Sequence, residues 1–245
     1  MAIKTAVRLN KYLSLQGVAS RRKADLLIQK GQVKINGDIV KTPWYQVTKT
    51  DKVQVAGHIL QKLPPKLEYL ILNKPKGVIS TAADPQKRPT VVGLIGASTR
   101  LYPVGRLDQD SEGLVILTND GQLAYRLTHP KYHVPKIYQV TITGRIKASA
   151  LNRMRTGVRL EDGLTAPAEV EIVNQTGQST NLSITLFEGK KRQIRRMSAV
   201  LGLNLTHLKR LSIGPVNLNN LPSGQFRPLT TAEVASLKKA ASLDS

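Results

Sequence analysis

The segment GRLDQDSEGLVILTNDG, residues 105–121, joins a glycine-bounded acidic loop to a short apolar run and a turn. The apolar run over 114–117, bounded by Gly113 and an Asn-Asp-Gly turn at 119–121, predicts a buried strand. Four acidic side chains occur in this segment, although the formal net charge of the chain is +21: Asp108, Asp110, Glu112 and Asp120. Carboxylates beside a buried strand in so basic a chain make this loop the first candidate for a functional site.

The composition limits the classes of partner. The 245 residues include 37 Lys or Arg against 16 Asp or Glu, with an isoelectric point near 10.4. This charge predicts a polyanionic partner, with nucleic acid favoured over an anionic membrane surface. The chain contains no run of about 18 apolar residues and no signal-peptide pattern, so we expect a soluble, cytoplasmic protein that binds no membrane. The absence of cysteine excludes thiolate chemistry and Cys-ligated zinc. Aromatic residues make up only 4%, which disfavours extensive base stacking.

The charge density changes near residue 66. The first 66 residues carry 13 Lys or Arg and three acidic residues, whereas the rest of the chain carries 24 and 13. A Pro-Pro pair at 64–65 disfavours both helix and sheet. These features predict an N-terminal domain over 1–62, a linker over 63–67 and a larger domain over 68–245.

The N-terminal region has a helix, helix, hairpin order. Leu9 and Leu13 share one face of a first predicted helix, and Ser20 is placed to cap a second. Alternating strand residues over 33–35 lead into an Asn-Gly hairpin turn, and the alternation recurs over 51–60.

This order is similar to that of the S-four-type RNA-binding domain. The resemblance implies that basic side chains of the two helices contact RNA: Arg8, Lys11, Arg21, Arg22 and Lys23. A helix N-terminus with free N–H groups suits a phosphate. The alternative is that the basic run at 21–23 is only a solvated helix start.

The region from residue 68 onward predicts an α+β fold. Strand patterns occur at 69–72, 101–104, 114–117, 136–143, 158–173 and 181–186, and helix patterns at 122–129, 148–157, 188–202 and after Thr230. The segment 188–202 predicts a basic amphipathic helix with Ile194, Met197, Val200 and Leu201 on its apolar side. Thr230 and Glu233 match a capping box. Because strands outnumber helices without regular βαβ alternation, we expect a mainly antiparallel mixed sheet flanked by helices.

The acidic loop partly matches a calcium-binding loop, but the match fails at its last ligand position. Oxygen-bearing side chains stand at loop positions one, three and five, with Gly113 at position six. Position twelve, which should supply a bidentate glutamate, is Asn119, and 114–117 is a predicted strand. The four histidines form no HExxH motif, so we expect no metal site.

Two further interpretations of the loop follow from the residues. Two carboxylates of the loop could act as a general acid and a general base, although no feature of the sequence specifically supports this interpretation. Asp110 and Glu112 could equally be part of a solvated turn. Asp108 differs because Arg106 lies two residues before it. A carboxylate that a nearby cation keeps ionised can act as a nucleophile.

Five segments in order carry a second resemblance. Gly105-Arg106-Leu107-Asp108, followed by Asp110-Ser111-x-Gly113-Leu114, resembles the catalytic signature of pseudouridine synthases. The segments LNKPKGVIST at 72–81, KIY at 136–138, EGKKRQIRRM at 188–197 and RLSIG at 210–214 are similar to those of the RsuA/RluB branch. The likeness runs from residue 8 to about residue 238.

The resemblance implies roles for particular residues. Asp108 is the expected nucleophile, Tyr138 lies against the target base, Arg195 pairs with Asp108, and Leu211 lines the floor of the pocket. Spacing alone does not separate Arg195 from its neighbour Arg196. Further basic residues are expected to contact RNA phosphates, with solvent contact as the alternative: Lys74, Arg106, Lys136, Lys190, Arg192 and Arg196.

The expected activity is conversion of a specific uridine of ribosomal RNA to pseudouridine. The target nucleotide must leave the base stack, and no cofactor is needed because no electrons are transferred. Four segments are most similar to the RluB type, which modifies large-subunit (23S) ribosomal RNA: 81–95, 101–108, 117–130 and 157–163. The alternatives are a small-subunit (16S) ribosomal RNA enzyme and a non-catalytic RNA-binding ribosome-assembly factor. A DNA-binding protein lacks a recognised motif. We expect a monomer.

Overall fold

The computed structural model describes residues 6–60, 66–97 and 99–243. The chain divides into two compact units, Met1–Leu67 and Glu68–Ser245. Most of the expected linker over 63–67 lies outside the described residues, which resume at Lys66.

Within residues 6–60, the first unit contains two helices and two small sheets. In chain order its elements are β1 (Val7–Arg8), α1 (Leu9–Leu15), α2 (Arg21–Gln29), β2 (Val33–Ile35), β3 (Asp38–Ile39), β4 (Gln46–Val47), β5 (Val53–Val55) and β6 (His58–Ile59). One antiparallel sheet has the strand order β3-β2-β5-β6, and β1 pairs with β4. The helix, helix, hairpin order of the sequence is therefore present.

Local sequence explains how this unit turns and packs. Ser20 caps α2, because its Oγ accepts the Lys23 N–H at 3.2 Å. Asn36 and Gly37, with φ of 54° and 101°, form the two-residue turn between β2 and β3. The alternation over 51–60 is divided by a second hairpin between β5 and β6. The apolar core contains Leu9, Leu13, Ala24, Ile28, Val33, Ile35, Val47 and Val53.

The second unit is an α+β domain. Its described elements are β7 (Tyr69–Lys74), α3 (Val91–Ile95), β8 (Tyr102–Val104), β9 (Glu112–Thr118), α4 (Gly121–Thr128), a 3-10 turn (Pro130–Tyr132), β10 (Lys136–Thr143), α5 (Ala148–Thr156), β11 (Arg159–Leu160), β12 (Gly163–Leu164), β13 (Glu169–Gln175), β14 (Ser179–Leu186), α6 (Gln193–Val200), β15 (Leu205–Ile213), β16 (Val216–Asn217), β17 (Phe226–Pro228) and α7 (Thr231–Ala240). Across the described ranges, no helix combines the length and the apolar character needed to span a bilayer.

The main sheet has the strand order β13-β14-β10-β15-β9-β7-β17, with β16 beside β15 and β8 beside β9. Strands β9 and β15 pair in parallel, and the other pairs among the described strands of this sheet are antiparallel. The predicted mainly antiparallel mixed sheet is confirmed. This order places β9, β10 and β15 at the middle of the sheet.

Strand β9 is buried on both of its faces. Leu114 and Ile116 belong to one apolar cluster, together with residues of α4 and α7, while Val115 and Leu117 belong to another. A strand that is covered on both faces needs apolar residues at every position, which explains the continuous apolar run in the sequence.

Strand β9 meets β15 where the acidic loop enters the sheet. Gly113 lies opposite Arg210 and has a φ of +109°. A Cβ added at position 113 would lie 2.3 Å from the carbonyl oxygen of Arg210. Glycine is therefore required both for the backbone conformation and for the close approach of the two strands.

Helix α6 is shorter than the amphipathic helix predicted over 188–202. It begins after Arg192, whose backbone is left-handed with a φ of 51°. Ile194 and Met197 are buried as predicted, but Val200 is 49% exposed. Gln193 and Ser198 complete the buried face instead. At about 100° per residue, Val200 lies roughly 90° from the centre of that face, which explains its exposure.

Candidate active site

The acidic loop between β8 and β9 opens onto a cavity of about 430 Å³. The side chain of Asp108 is 33% exposed, and it is the acidic residue among those that line the cavity. The basic residues that line it are Arg106, Lys136, Lys190, Lys191, Arg192 and Arg210. Among the described residues, the site thus offers one carboxylate surrounded by cations, which is suited to a polyanionic substrate.

Hydrogen bonds from the turn after β7 hold the loop on both sides of Asp108. Ser80 Oγ donates to the Leu107 carbonyl at 2.9 Å and accepts the Leu107 N–H at 3.1 Å. The Gly77 N–H donates to the Gln109 carbonyl at 2.8 Å, and Gln109 Nε2 donates to the Gly77 carbonyl at 3.2 Å. These four bonds explain why the segment 72–81 accompanies the acidic loop: it positions the carboxylate.

Two arginines reach the loop from the start of α6. Arg192 Nη1 lies 3.6 Å from Asp108 Oδ2, and its guanidinium also binds the Asp110 carboxylate at 3.2 and 3.3 Å. Arg195 Nη2 donates to the Asp110 carbonyl at 2.9 Å and to Ser111 Oγ at 3.1 Å, and its Nε lies 3.4 Å from Asp110 Oδ2. The structure therefore differs from the expected Arg195–Asp108 pair, because α6 begins at residue 193 and aims Arg192, ahead of its first turn, at Asp108.

Asp110 is an anchor of the loop rather than a free turn residue. Burial by itself raises the pKa of Asp110, but the hydrogen bonds from Arg192 and the charge of Arg195 outweigh burial and hold that pKa below its ordinary value. The ionised side chain of Asp110 thus ties both arginines to the loop that carries Asp108.

The structure places Arg106 at the cavity but Lys74 away from the surface. Arg106 is exposed and lines the cavity, but the ion pair with Asp108 comes from Arg192. Lys74 has 0% exposure, and its Nζ donates to the carbonyls of Pro75 and Val78 at 2.9 and 2.7 Å. Burial lowers the pKa of Lys74 to about 8. The expectation that Lys74 contacts RNA is wrong for this structure, because its ammonium is enclosed by the turn.

Strands β10 and β15 supply the opposite wall of the cavity. Tyr138 and Arg210 lie directly across from each other, and Lys136 is two residues from Tyr138 on the same strand. Lys136 Nζ donates to the Val134 carbonyl at 3.0 Å. Burial, and then the charge of Arg210, lowers the pKa of Lys136 to about 8. Tyr138 and Lys136 are thus brought to the cavity that contains Asp108.

Arg210 is a cavity residue to which the sequence did not assign a role. It is 2% exposed, and its Nε donates to the Leu114 carbonyl at 2.7 Å. Its Nη2 has no hydrogen-bond partner among the residues that the structure describes. In the sequence, Arg210 only begins a segment that resembles the family. Its spacing of two residues from Leu208 is the signal that would place both side chains on the same face of a strand. A buried cation without a paired acid leaves positive potential in the cavity.

Leu211 does not line the cavity, contrary to expectation. Between β10 and β15 the register passes from Ile137 opposite Ser212 to Tyr138 opposite Arg210, so Leu211 is the extra residue of a bulge. Leu208 and Arg210 line the cavity instead. The prediction was wrong because alternation and a bulge together decide which side chains of β15 face the site.

Basic side chains of α6 and of the loop before it bind the hairpin β11–β12 at the rim of the cavity. Arg196 binds the Asp162 carboxylate at 2.9 and 3.1 Å, and Lys190 Nζ donates to the Asp162 carbonyl at 2.9 Å. Glu188 Oε1 accepts from Gln193 Nε2 at 2.7 Å. Arg196 and Lys190 therefore fasten the hairpin β11–β12, and Lys190 still borders the cavity.

The predicted RNA-contact residues of the first unit are at its surface. Arg8 and Lys11 are exposed at the start of α1, and Arg21, Arg22 and Lys23 are exposed in the first turn of α2. In the part of the chain that the structure describes, no group of three or more His, Cys, Asp or Glu side chains could hold a metal ion.

Both units match known protein families. The family model described as RNA pseudouridylate synthase matches residues 68–200, a range that contains the acidic loop, Tyr138 and α6. The S4 domain model matches residues 7–53.

Full-length relatives extend these matches across the chain. An uncharacterized RNA pseudouridine synthase of Aquifex aeolicus is 43% identical over 240 residues, which cover 97% of this chain and 96% of that protein. Ribosomal large subunit pseudouridine synthase B of Bacillus subtilis is 40% identical over 237 residues, which cover 96% of each protein. A crystal structure of a pseudouridylate synthase matches with a TM-score of 0.67 and 34% identity, covering 94% of this chain and 99% of that one.

Proposed function

Because this chain belongs to the RNA pseudouridylate synthase family, we propose that it isomerises a specific uridine of large-subunit (23S) ribosomal RNA, with Asp108 as the nucleophile. The single carboxylate of the cationic cavity is the observation that carries this proposal. A carboxylate held on both flanks by hydrogen bonds and accompanied by arginine is a suitable nucleophile.

The reaction breaks the bond between uracil N1 and ribose C1′ and forms a bond between C5 and C1′. The hydrogen of C5 leaves as a proton, and N1 gains a proton, so the change is redox-neutral and needs no cofactor. Asp108 attacks the substrate to give a transient covalent species and is released when the new bond is complete. Tyr138 stacks on the uracil while it turns.

The neighbouring cations orient the reacting groups. Arg192, at 3.6 Å from Asp108, keeps the carboxylate aligned, and Arg195 acts as a positioning residue through Asp110 and Ser111. Lys136 and Arg210 offset negative charge on the uracil oxygens and the flanking phosphates. Moving a uridine out of the base stack costs about a few kcal/mol, which phosphate contacts supply.

The choice of ribosomal RNA rests on the relative from Bacillus subtilis, whose name gives the ribosomal large subunit. We propose residues 1–62 as a second RNA-binding domain, joined by the linker 63–67 to the catalytic domain 68–245. The exposed cations of α1 and α2 support this assignment. The proposal places a monomeric enzyme in the cytoplasm with ribosomal RNA as its partner.

The test is pseudouridine mapping by carbodiimide modification and primer extension on both ribosomal RNAs. Cells lacking the protein are complemented with wild type, with Asp108→Asn, or with Glu171→Gln as an exposed acidic control on β13. We expect one large-subunit signal to disappear and to return with wild type and Glu171→Gln only. A signal restored by Asp108→Asn would remove Asp108 as nucleophile, and a lost small-subunit signal would overturn the choice of RNA.

A further inference from the structure

The end of α4 and the 3-10 turn that follows it expose an aromatic cluster. The ring centroids of Tyr125 and His129 are 5.0 Å apart, those of Tyr125 and Tyr132 are 6.2 Å apart, and those of His129 and Tyr132 are 6.1 Å apart. The planes are tilted by 48°, 77° and 70°, which are favourable geometries for aromatic contacts. We define these three residues as the aromatic platform.

The platform is continuous with the rim of the cavity. Thr128, which lines the cavity, directly precedes His129 in the chain. A Cβ built at Gly105, at the start of the acidic loop, would lie 3.5 Å from Thr128 Cγ2. The rings are therefore next to the loop that carries Asp108, on the side formed by α4.

The core accounts for only one of the three rings: Tyr132 is half-buried and packs against it, whereas Tyr125 and His129 are exposed. Helix α4 anchors itself to the domain through Leu123 and Leu127, which are buried, whereas Tyr125 is 54% exposed. The other two rings are held by polar contacts. His129 Nδ1 accepts the Lys131 N–H at 3.2 Å, and the Arg126 guanidinium lies 5.1 Å from the Tyr132 ring centroid. A fixed, exposed ring offers a flat apolar face at little cost in conformational entropy.

The charge around the platform fits RNA. The sequence over 121–136 contains Arg126, Lys131 and Lys136 and no acidic residue. Aromatic faces set among cations are the usual means of holding unpaired bases, which stack on the ring while phosphates meet the basic side chains. The low aromatic content of the chain disfavours extensive stacking, but one local cluster is enough for one base.

We propose that the aromatic platform binds the unpaired base next to the target uridine and thereby holds the displaced strand at the mouth of the cavity. Tyr125 is the main stacking surface because it is 54% exposed, whereas Tyr132 is half-buried and the His129 ring is smaller. The proposal rests on the RNA-modifying function and adds a second base-binding site outside the cavity.

The test compares Tyr125→Ala and Tyr125→Phe in the full-length protein. The substrate is the ribosomal RNA fragment that wild type modifies, with tritium at uridine C5, and released tritium measures turnover. Loss of one stacked base predicts that Tyr125→Ala raises KM about tenfold while kcat stays within about twofold. Tyr125→Phe keeps the ring and should match wild type. Val173→Ala, an exposed apolar residue on β13, is the matched control for a changed surface.

A second arm separates stacking from packing. The same fragments are made with an abasic site immediately before or after the target uridine. If the platform holds that base, one abasic fragment raises KM about tenfold for wild type but adds nothing for Tyr125→Ala. Equal losses in both proteins, or a Tyr125→Ala enzyme with the KM of wild type, would overturn the proposal. The fragment is the one that wild type modifies, whichever ribosomal RNA it comes from. An error in the proposed ribosomal RNA would therefore change the fragment used, but not the comparison between wild type and Tyr125→Ala.

Discussion

Gly113 is the most sharply constrained position beside the acidic loop. Its positive φ costs a residue with a side chain about 1–2 kcal/mol. A Cβ at 2.3 Å from the Arg210 carbonyl oxygen also forces β9 away from β15, and such overpacking adds about 1–3 kcal/mol. Gly113→Ala should therefore lower the free energy of unfolding by about 2–5 kcal/mol, which corresponds to roughly 4–20 °C in the Tm of a domain of this size.

Gly144→Ala provides the matched control. Gly144 also has a positive φ, +72°, but no heavy atom lies within 4 Å of a Cβ built there. It should lose only the backbone part, about 1–2 kcal/mol or roughly 2–8 °C. The assay is thermal unfolding of the full-length variants by circular dichroism, followed by tritium release well below both transitions. Equal Tm values for the two variants would refute the close approach of β9 to β15. Full activity of Gly113→Ala would show that this approach does not determine the position of Asp108.

Four other substitutions test the site and its support. Ser80→Ala removes both bonds to Leu107 and should lower kcat by about 10- to 100-fold without changing RNA affinity; a change in affinity alone would contradict this role. As the pH rises from about 7 to about 9, Lys136, with a pKa of about 8, changes from charged to neutral, so kcat/KM should fall, whereas Lys136→Arg should give a flatter profile. Arg210→Met should lower kcat by about tenfold or more in single-turnover assays, and unchanged turnover would remove it from the electrostatics of the cavity. Thr230→Ala breaks the capping box of α7 and should lower the Tm by roughly 2–4 °C for about 1 kcal/mol, with kcat unchanged.

Several local features could be predicted because they depend on neighbours in the chain. Ser20 caps α2, Thr230 and Glu233 form the capping box of α7, and the Asn-Gly pair at 36–37 forms a hairpin turn. The apolar run over 114–117 predicted the buried strand β9. In each case a few consecutive side chains satisfy the backbone or fill one face, so the sequence pattern carries the information.

The candidate site was only partly predictable. The resemblance directed attention to Asp108 and Tyr138, and the fold brings both residues to one cavity. It did not indicate that Arg192 rather than Arg195 faces Asp108, since that depends on where α6 begins. The left-handed backbone of Arg192 sets this start, and spacing alone does not show it.

The remaining differences come from contacts between distant segments. Lys74 resembles a surface cation in sequence, but pairing of β7 with β9 and the turn that follows enclose its ammonium. Leu211 is turned from the cavity by a bulge against β10, and Arg210 is buried there instead. The sequence by itself therefore determined the family, many of the elements and the place of Asp108 in the acidic loop, but its patterns missed β15, which lies at the middle of the sheet. Only the tertiary structure decided which cations reach that carboxylate, because strand register and burial are set by residues far apart in the chain.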